Sequence, residues 1–304
     1  MNSTTAALEP SMMLDQVSRS APERLMAWHR VAFFLIAHVV LALVMFQIEA
    51  VATVHAVLTF AIGLWWALRR KLEWVAYCGS YIAGAEVLWR MTEANVPWEF
   101  GKYAMSVLFI AALLRTGTIR GLFLPALYFA LQLPSIWMTA THEDFNAARM
   151  YISFNLSGPF ALFASVWFFS RLRFTPQRLH LFLLAFLGPT LGITTNAIFN
   201  TVSVDNIVFS SQSNFVTSGG FGPNQVSAIL GLGIVGAFFT LTIIRVGFFQ
   251  RMMIVGVMLL FVVQSGLTFS RTGLGLAAGS IALASLFLFR NARTRLTIIL
   301  LIVL

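Results

Sequence analysis

Charge is scarce in this sequence. Asp, Glu, Lys and Arg make up 10% of its 304 residues, where an ordinary soluble domain carries about 25%. Cysteine is scarcer still: the single Cys78 excludes an internal disulfide and belongs to no metal-binding pattern. The five histidines follow no metal-ligand spacing. There is no Gly-Lys-Ser/Thr phosphate loop, no dinucleotide-binding glycine fingerprint and no Gly-x-Ser-x-Gly motif, so cytosolic nucleotide chemistry has no footing. No cleavable signal peptide is evident. The first 30 residues are mixed and polar, and the apolar segment after them is long enough to span a membrane.

Apolar residues are what the chain has in excess, 59% of the total, with a mean hydropathy of +0.83. One water-soluble core cannot hide that much apolar surface, so the expected fold is all-α, a polytopic helical bundle in a lipid bilayer. The net charge of +9 would suggest nucleic acid on a soluble protein. Here the basic residues form short clusters between apolar segments, which is a topology signal, and no nucleic-acid partner is expected. The hydrophobic pattern predicts ten complete spans, at roughly 31–48, 51–68, 73–91, 101–115, 120–139, 151–170, 179–200, 224–244, 252–268 and 273–289. An eleventh begins near Leu296 and reaches about half the required length at Leu304. A further C-terminal part is therefore expected.

With the N-terminus on the cytoplasmic side, Arg90, Lys102, Arg149 and Arg271 fall outside, which is 4 of the 20 Lys and Arg residues and leaves 16 inside. That alternation satisfies the positive-inside rule and supports the span count. Topology accounts for the inner sixteen. The outer four require another role.

Four stretches carry candidate chemistry. The first, SGGFGPNQ at 218–225, closes an outer polar run and opens an apolar segment. Pro223 suits the first turn of a helix, and Ser218, Gly219 and Gly220 permit positive φ. The helix N-terminus would offer N–H groups and partial positive charge to an anion. Gly222 lies at this entrance, and Asn224 and Gln225 add amides at membrane depth. The simpler reading is a plain capped helix start, followed by GLGLG for close helix packing.

The second stretch is TFSRTGLGLAAGS, where Arg271 lies between two apolar spans at the outer boundary. Its fork suits a phosphate, and an interfacial arginine snorkelling to lipid is the alternative. Ser270 is a candidate cap, with no base arranged to make it a nucleophile. In the third, EVLWRM, Glu86 and Arg90 are spaced to pair, either structurally or as the wall of a site, and Glu93, Glu99 and Lys102 follow. The fourth, THEDFNAAR, sets His142 beside Glu143, Asp144 and Arg149, as a general-base arrangement or an ordinary solvated loop. Of the remaining histidines, His38 reads as a satisfied core imidazole, and His55 fits no pattern.

The order of these features resembles the O-antigen ligase and polymerase family of bacterial polysaccharide membrane proteins. The family pattern is a Gly-Phe-Gly-Pro-Asn-like stretch before one helix and a Ser-Arg-Gly-like stretch two helices later. The resemblance is sharpest over about 215–280. It implies a glycosyltransferase at the outer face of the inner membrane, acting in lipopolysaccharide and polysaccharide biosynthesis. The donor would be a glycan on undecaprenyl diphosphate, the acceptor a growing glycan or lipid A–core, and no cofactor or metal would be needed. Arg271 matches the arginine that engages the donor diphosphate, and Asn224 the motif asparagine. The implied organisation is a cytoplasmic segment at 1–30, transmembrane helices at 31–200, a periplasmic loop at 201–223 and a ligase-like core at 224–304. The arginine that many members place just before Gly-Phe-Gly is missing, since Asn214, Phe215, Val216 and Thr217 stand there. Arg90 and Arg149 are the candidates to replace it. The family's functional histidine would lie beyond Leu304, so residues 1–304 alone are expected to be catalytically incomplete. The rival class is a transporter or flippase for an anionic or lipid-linked substrate, to which helix breaks at Gly158-Pro159 and Gly188-Pro189 would correspond.

Overall fold

In the computed structural model of the chain, the described residues are 26–114, 122–204, 207, 212–289, 295 and 297–298. Arg19, Arg24, Arg115, Arg120, Arg290 and Arg293, which entered the charge count, lie outside them, as do most of the 1–30 segment and of the expected eleventh span. Every regular element among the described residues is helical. The helices are α1 (Trp28–Gln47), α2 (Glu49–Leu68), α3 (Leu72–Met91), α4 (Phe100–Leu113), α5 (Phe123–Gln132), α6 (Pro134–His142), α7 (Phe145–Phe169), α8 (Pro176–Val202), α9 (Pro223–Ile243), α10 (Phe248–Leu267) and α11 (Arg271–Leu288). A short 3₁₀ turn, Val216–Ser218, precedes α9.

Among the described residues, eight helical segments are long and apolar enough to cross a membrane, counting α5 and α6 as one run, Phe123–His142. The expected ten therefore needs two more, and α3 and α4 fall short in different ways. At 14 residues, α4 extends about 21 Å at 1.5 Å per residue, less than the roughly 30 Å hydrocarbon thickness. The shortfall of α3 is in apolarity, because it carries Glu73, Glu86 and Arg90 over its 20 residues. It packs against α2, α4, α8 and α9. Its neighbours cover it, so its hydropathy can drop.

Packing rather than hydrophobicity must hold such helices together, since lipid tails are as apolar as the side chains they would replace. Small residues bring the backbones close. A methyl group added at Gly84 of α3 would stand 2.6 Å from the Phe186 carbonyl oxygen of α8. Between α9 and α11 the approach is tighter: a Cβ at Gly231 would overlap the Gly273 carbonyl, and one at Gly273 would overlap that of Ser227. The Ser227 hydroxyl accepts from the Gly273 N–H at 3.0 Å and donates to the Ser270 carbonyl at 3.0 Å.

Polar bonds supply the rest. Trp89 Nε1–H donates to His55 Nδ1 at 2.9 Å, which fixes His55 Nε2 as the protonated nitrogen of a neutral ring. That nitrogen lies 2.8 Å from the Tyr81 hydroxyl, which lies 3.0 Å from His38 Nε2; His38 Nδ1 in turn reaches the Phe34 carbonyl at 2.7 Å. One direction of donation satisfies the whole chain, and it ties α1, α2 and α3. His38 is thus the satisfied core imidazole expected, and His55 belongs to a pattern that only the fold reveals.

Two expectations need correction. The Gly-Pro pairs do not break their helices: Pro159 lies inside a continuous α7, and Pro189 inside a continuous α8. The THEDFNAAR stretch is scarcely a loop. His142 ends α6, and Asp144 caps α7 by accepting from the Asn146 and Ala147 N–H groups at 2.9 and 3.0 Å.

Candidate functional site

The stretch 212–225 is held from both sides. Asn200 Nδ2 of α8 donates to the Val216 carbonyl at 2.8 Å, and Gln264 Nε2 of α10 donates to that of Thr217 at 2.6 Å. The Asn214 N–H donates to the Thr268 carbonyl at 2.8 Å. Gly219 and Gly220 then turn the chain with φ of 72° and 73°. At Gly219 the positive φ favours glycine, and a Cβ there would also displace the Met91 methyl group. Ser218 does not take positive φ as expected; it closes the 3₁₀ turn, and its hydroxyl donates to the Asn214 carbonyl at 2.6 Å.

Pro223 occupies the first turn of α9, as the sequence predicts, and Gly222 is the N-cap residue. No side chain caps this helix. At α11, Ser270 is the N-cap residue but its hydroxyl does not cap either. It donates instead to Asn224 Oδ1 at 2.8 Å. The starts of α9 and α11, 46 residues apart in sequence at this bond, are thereby joined side by side. Arg271 follows at the first position of α11, exposed, and Asn224 and Gln225 are exposed beside it.

Arg90 completes the group from α3. Its Nη1 donates to Gln225 Oε1 at 3.1 Å, Nε donates to the Trp98 carbonyl at 3.0 Å, and Nη2 pairs with Glu86. Its side chain is only 11% exposed. Glu99 Oε2 lies 3.7 Å from Nη2, and accepts from Lys102 Nζ at 2.6 Å and from the Ser157 hydroxyl at 2.9 Å. The Glu86–Arg90 pair is therefore structural and also reaches the SGGFGPNQ stretch. Arg149 does not join. It is exposed near the start of α7, whose packing partners are α4, α5 and α6.

The arrangement brings two helix N-termini, two arginines and two amides to one end of the bundle. It offers an anion hydrogen-bond donors and positive charge. Among the described residues, no group of three or more His, Cys, Asp and Glu is placed to hold a metal ion. Sequence reasoning missed Ser227, which locks α9 to α11, and Trp98, whose ring lies 4.7 Å from the Arg90 guanidinium and 5.9 Å from the Phe221 ring. An exposed tryptophan after a Pro in a charged turn was the available signal for the latter. Comparison with protein-family models, with curated proteins and with solved structures gave no match.

Proposed function

We propose that this protein transfers a glycan from undecaprenyl diphosphate to an acceptor hydroxyl, as an O-antigen ligase or polysaccharide polymerase of the bacterial inner membrane. In this reading the N-terminus is cytoplasmic, α3 and α4 complete ten spans, and the end bearing the starts of α9 and α11 faces the periplasm. The observation that carries the proposal is the Ser270–Asn224 bond, which makes one site of the two motifs on which the family resemblance rests. Arg90, held by Gln225, takes the place of the arginine missing before Gly-Phe-Gly.

The chemistry follows from the charges. The acceptor oxygen attacks the anomeric carbon, the bond from that carbon to the phosphate oxygen breaks, and the proton leaves with a base. Negative charge grows on the departing lipid diphosphate, where Arg271 and the two helix starts stabilise it more than they stabilise the bound donor. Loss of one such donor group typically slows transfer roughly 100-fold or more.

The test is complementation of a strain deleted for its own copy, with full-length protein and its Arg271→Ala and Arg90→Lys variants, reading polysaccharide length and attachment on gels. Both variants are expected to lose product at unchanged protein level. Unaltered polysaccharide in the deletion strain, or full activity of Arg271→Ala, would sink the proposal. The transporter reading drew on helix breaks at Pro159 and Pro189, and both helices are continuous.

A further inference from the structure

Beside the anion site, where the start of α2 meets the end of α3, lies a cleft of about 470 Å³. Small-molecule sites are typically about 300–1,000 Å³. Its polar lining includes Glu49, Glu86, Arg90, Glu93 and Asn95, three carboxylates to one guanidinium, and its aromatic wall includes Trp98. Among the described residues, the side chains of Glu49, Glu93 and Asn95 find no hydrogen-bond or ion-pair partner; the Asn95 backbone N–H donates to Thr53 Oγ1 at 2.8 Å. The Trp98 side chain is 53% exposed, with the Arg90 guanidinium against it.

Glu93 is held in an unusual way. It follows the C-cap Thr92 of α3 with φ of 53°, in the left-handed region where glycine is favoured. The Ala94 N–H closes the turn on the Trp89 carbonyl at 2.9 Å. A carboxylate thus occupies a backbone position where glycine would fit with less strain, and its side chain is left free in the cleft.

We infer that this cleft binds a hydroxyl-rich, uncharged glycan. The apolar C–H face of a pyranose packs on an indole. Its hydroxyls donate to free carboxylates and exchange hydrogen bonds with an amide. Glu49 and Glu93 repel a phosphate, which keeps an anionic headgroup out. Arg90 is the partition, bonded to Gln225 of the anion site on one side and to Glu86 and the Trp98 carbonyl of the cleft on the other. A glycan here lies one side chain away from a bound diphosphate, which is where an acceptor must lie. The acceptor role, though not the binding itself, rests on the transferase reading.

Saturation-transfer NMR on the full-length protein in lipid nanodiscs tests the inference, with maltotriose and N-acetylated chitotriose as probes and a sialic acid trimer as anionic control. The two neutral trisaccharides are expected to bind and the anionic one to fail. Trp98→Ala and Glu93→Gly should each weaken neutral binding roughly tenfold or more, while Arg149→Ala, on α7, should leave it unchanged. Glu93→Gly should unfold at or above the wild-type temperature, so that its effect is loss of the carboxylate and not of the fold. No saturation from either neutral sugar, or equal binding by the Trp98 and Glu93 variants, overturns the inference, as does preference for the anionic trimer. Undecaprenyl diphosphate binding is measured in parallel. If it fails while the neutral sugars bind, the transferase reading falls and the glycan cleft stands. If it binds and the sugars do not, only the cleft falls.

Discussion

Tyr81→Phe removes one oxygen from the centre of the chain that joins α1, α2 and α3. The ring and its packing stay. What is lost is the acceptor for His55 Nε2–H, at 2.8 Å, and the donor to His38 Nε2, at 3.0 Å. Trp89 holds His55 in its tautomer from the other side, so that histidine cannot turn its proton elsewhere without abandoning the indole. His38 is committed through Nδ1 to the Phe34 carbonyl. Two ring nitrogens are therefore left without partners in the interior. Leaving one buried polar group unsatisfied costs about 1–3 kcal/mol in soluble proteins, whereas hydrogen bonds between membrane helices average about 0.6 kcal/mol. Two bonds lost together give an expected destabilisation of about 1–3 kcal/mol. The assay is reversible unfolding of the purified protein in mixed micelles by titrated denaturing detergent. Tyr151→Phe is the control, since Tyr151 is 45% exposed and its hydroxyl bonds to none of the described residues. If Tyr81→Phe unfolds together with wild type and with Tyr151→Phe, the chain of donation contributes nothing and the reasoning fails.

Two further outcomes follow from geometry. Gly231→Ala and Gly273→Ala drive a methyl group into the backbone of the facing helix, and each should cost about 1–3 kcal/mol or more in the same titration. Gly275→Ala and Gly279→Ala on that same α11 meet nothing within 4 Å and should be neutral or mildly stabilising. Asp144→Ala removes the cap of α7 and should cost about 1 kcal/mol by thermal unfolding, with Asp144→Asn close to wild type.

The sequence was informative wherever the constraint was local. Apolar run length located the helices, and Pro223 marked the start of α9 because a proline lacking its N–H fits a first turn. The pairing of Glu86 with Arg90 was legible from a four-residue spacing. Local signals misled at Pro159 and Pro189, since proline predicts a break that the surrounding helices can absorb. They also failed for the helix caps, because a serine before a helix predicts an N-cap, and Ser270 turns its hydroxyl to Asn224 instead.

By itself, then, the sequence determined an all-helical chain of membrane type and two short motifs rich in glycine, amide and arginine. Composition and periodicity are sums over neighbours in the chain, and these properties depend on nothing else. Which residues meet was decided by tertiary structure alone. Arg90 and Gln225 are separated by 135 positions, and Arg149, an equal candidate in the sequence, stands on α7 among other helices. No spacing rule reaches across several helices. Their relative placement is set by where glycines let backbones approach and where buried polar groups find partners, and both are properties of the packed bundle.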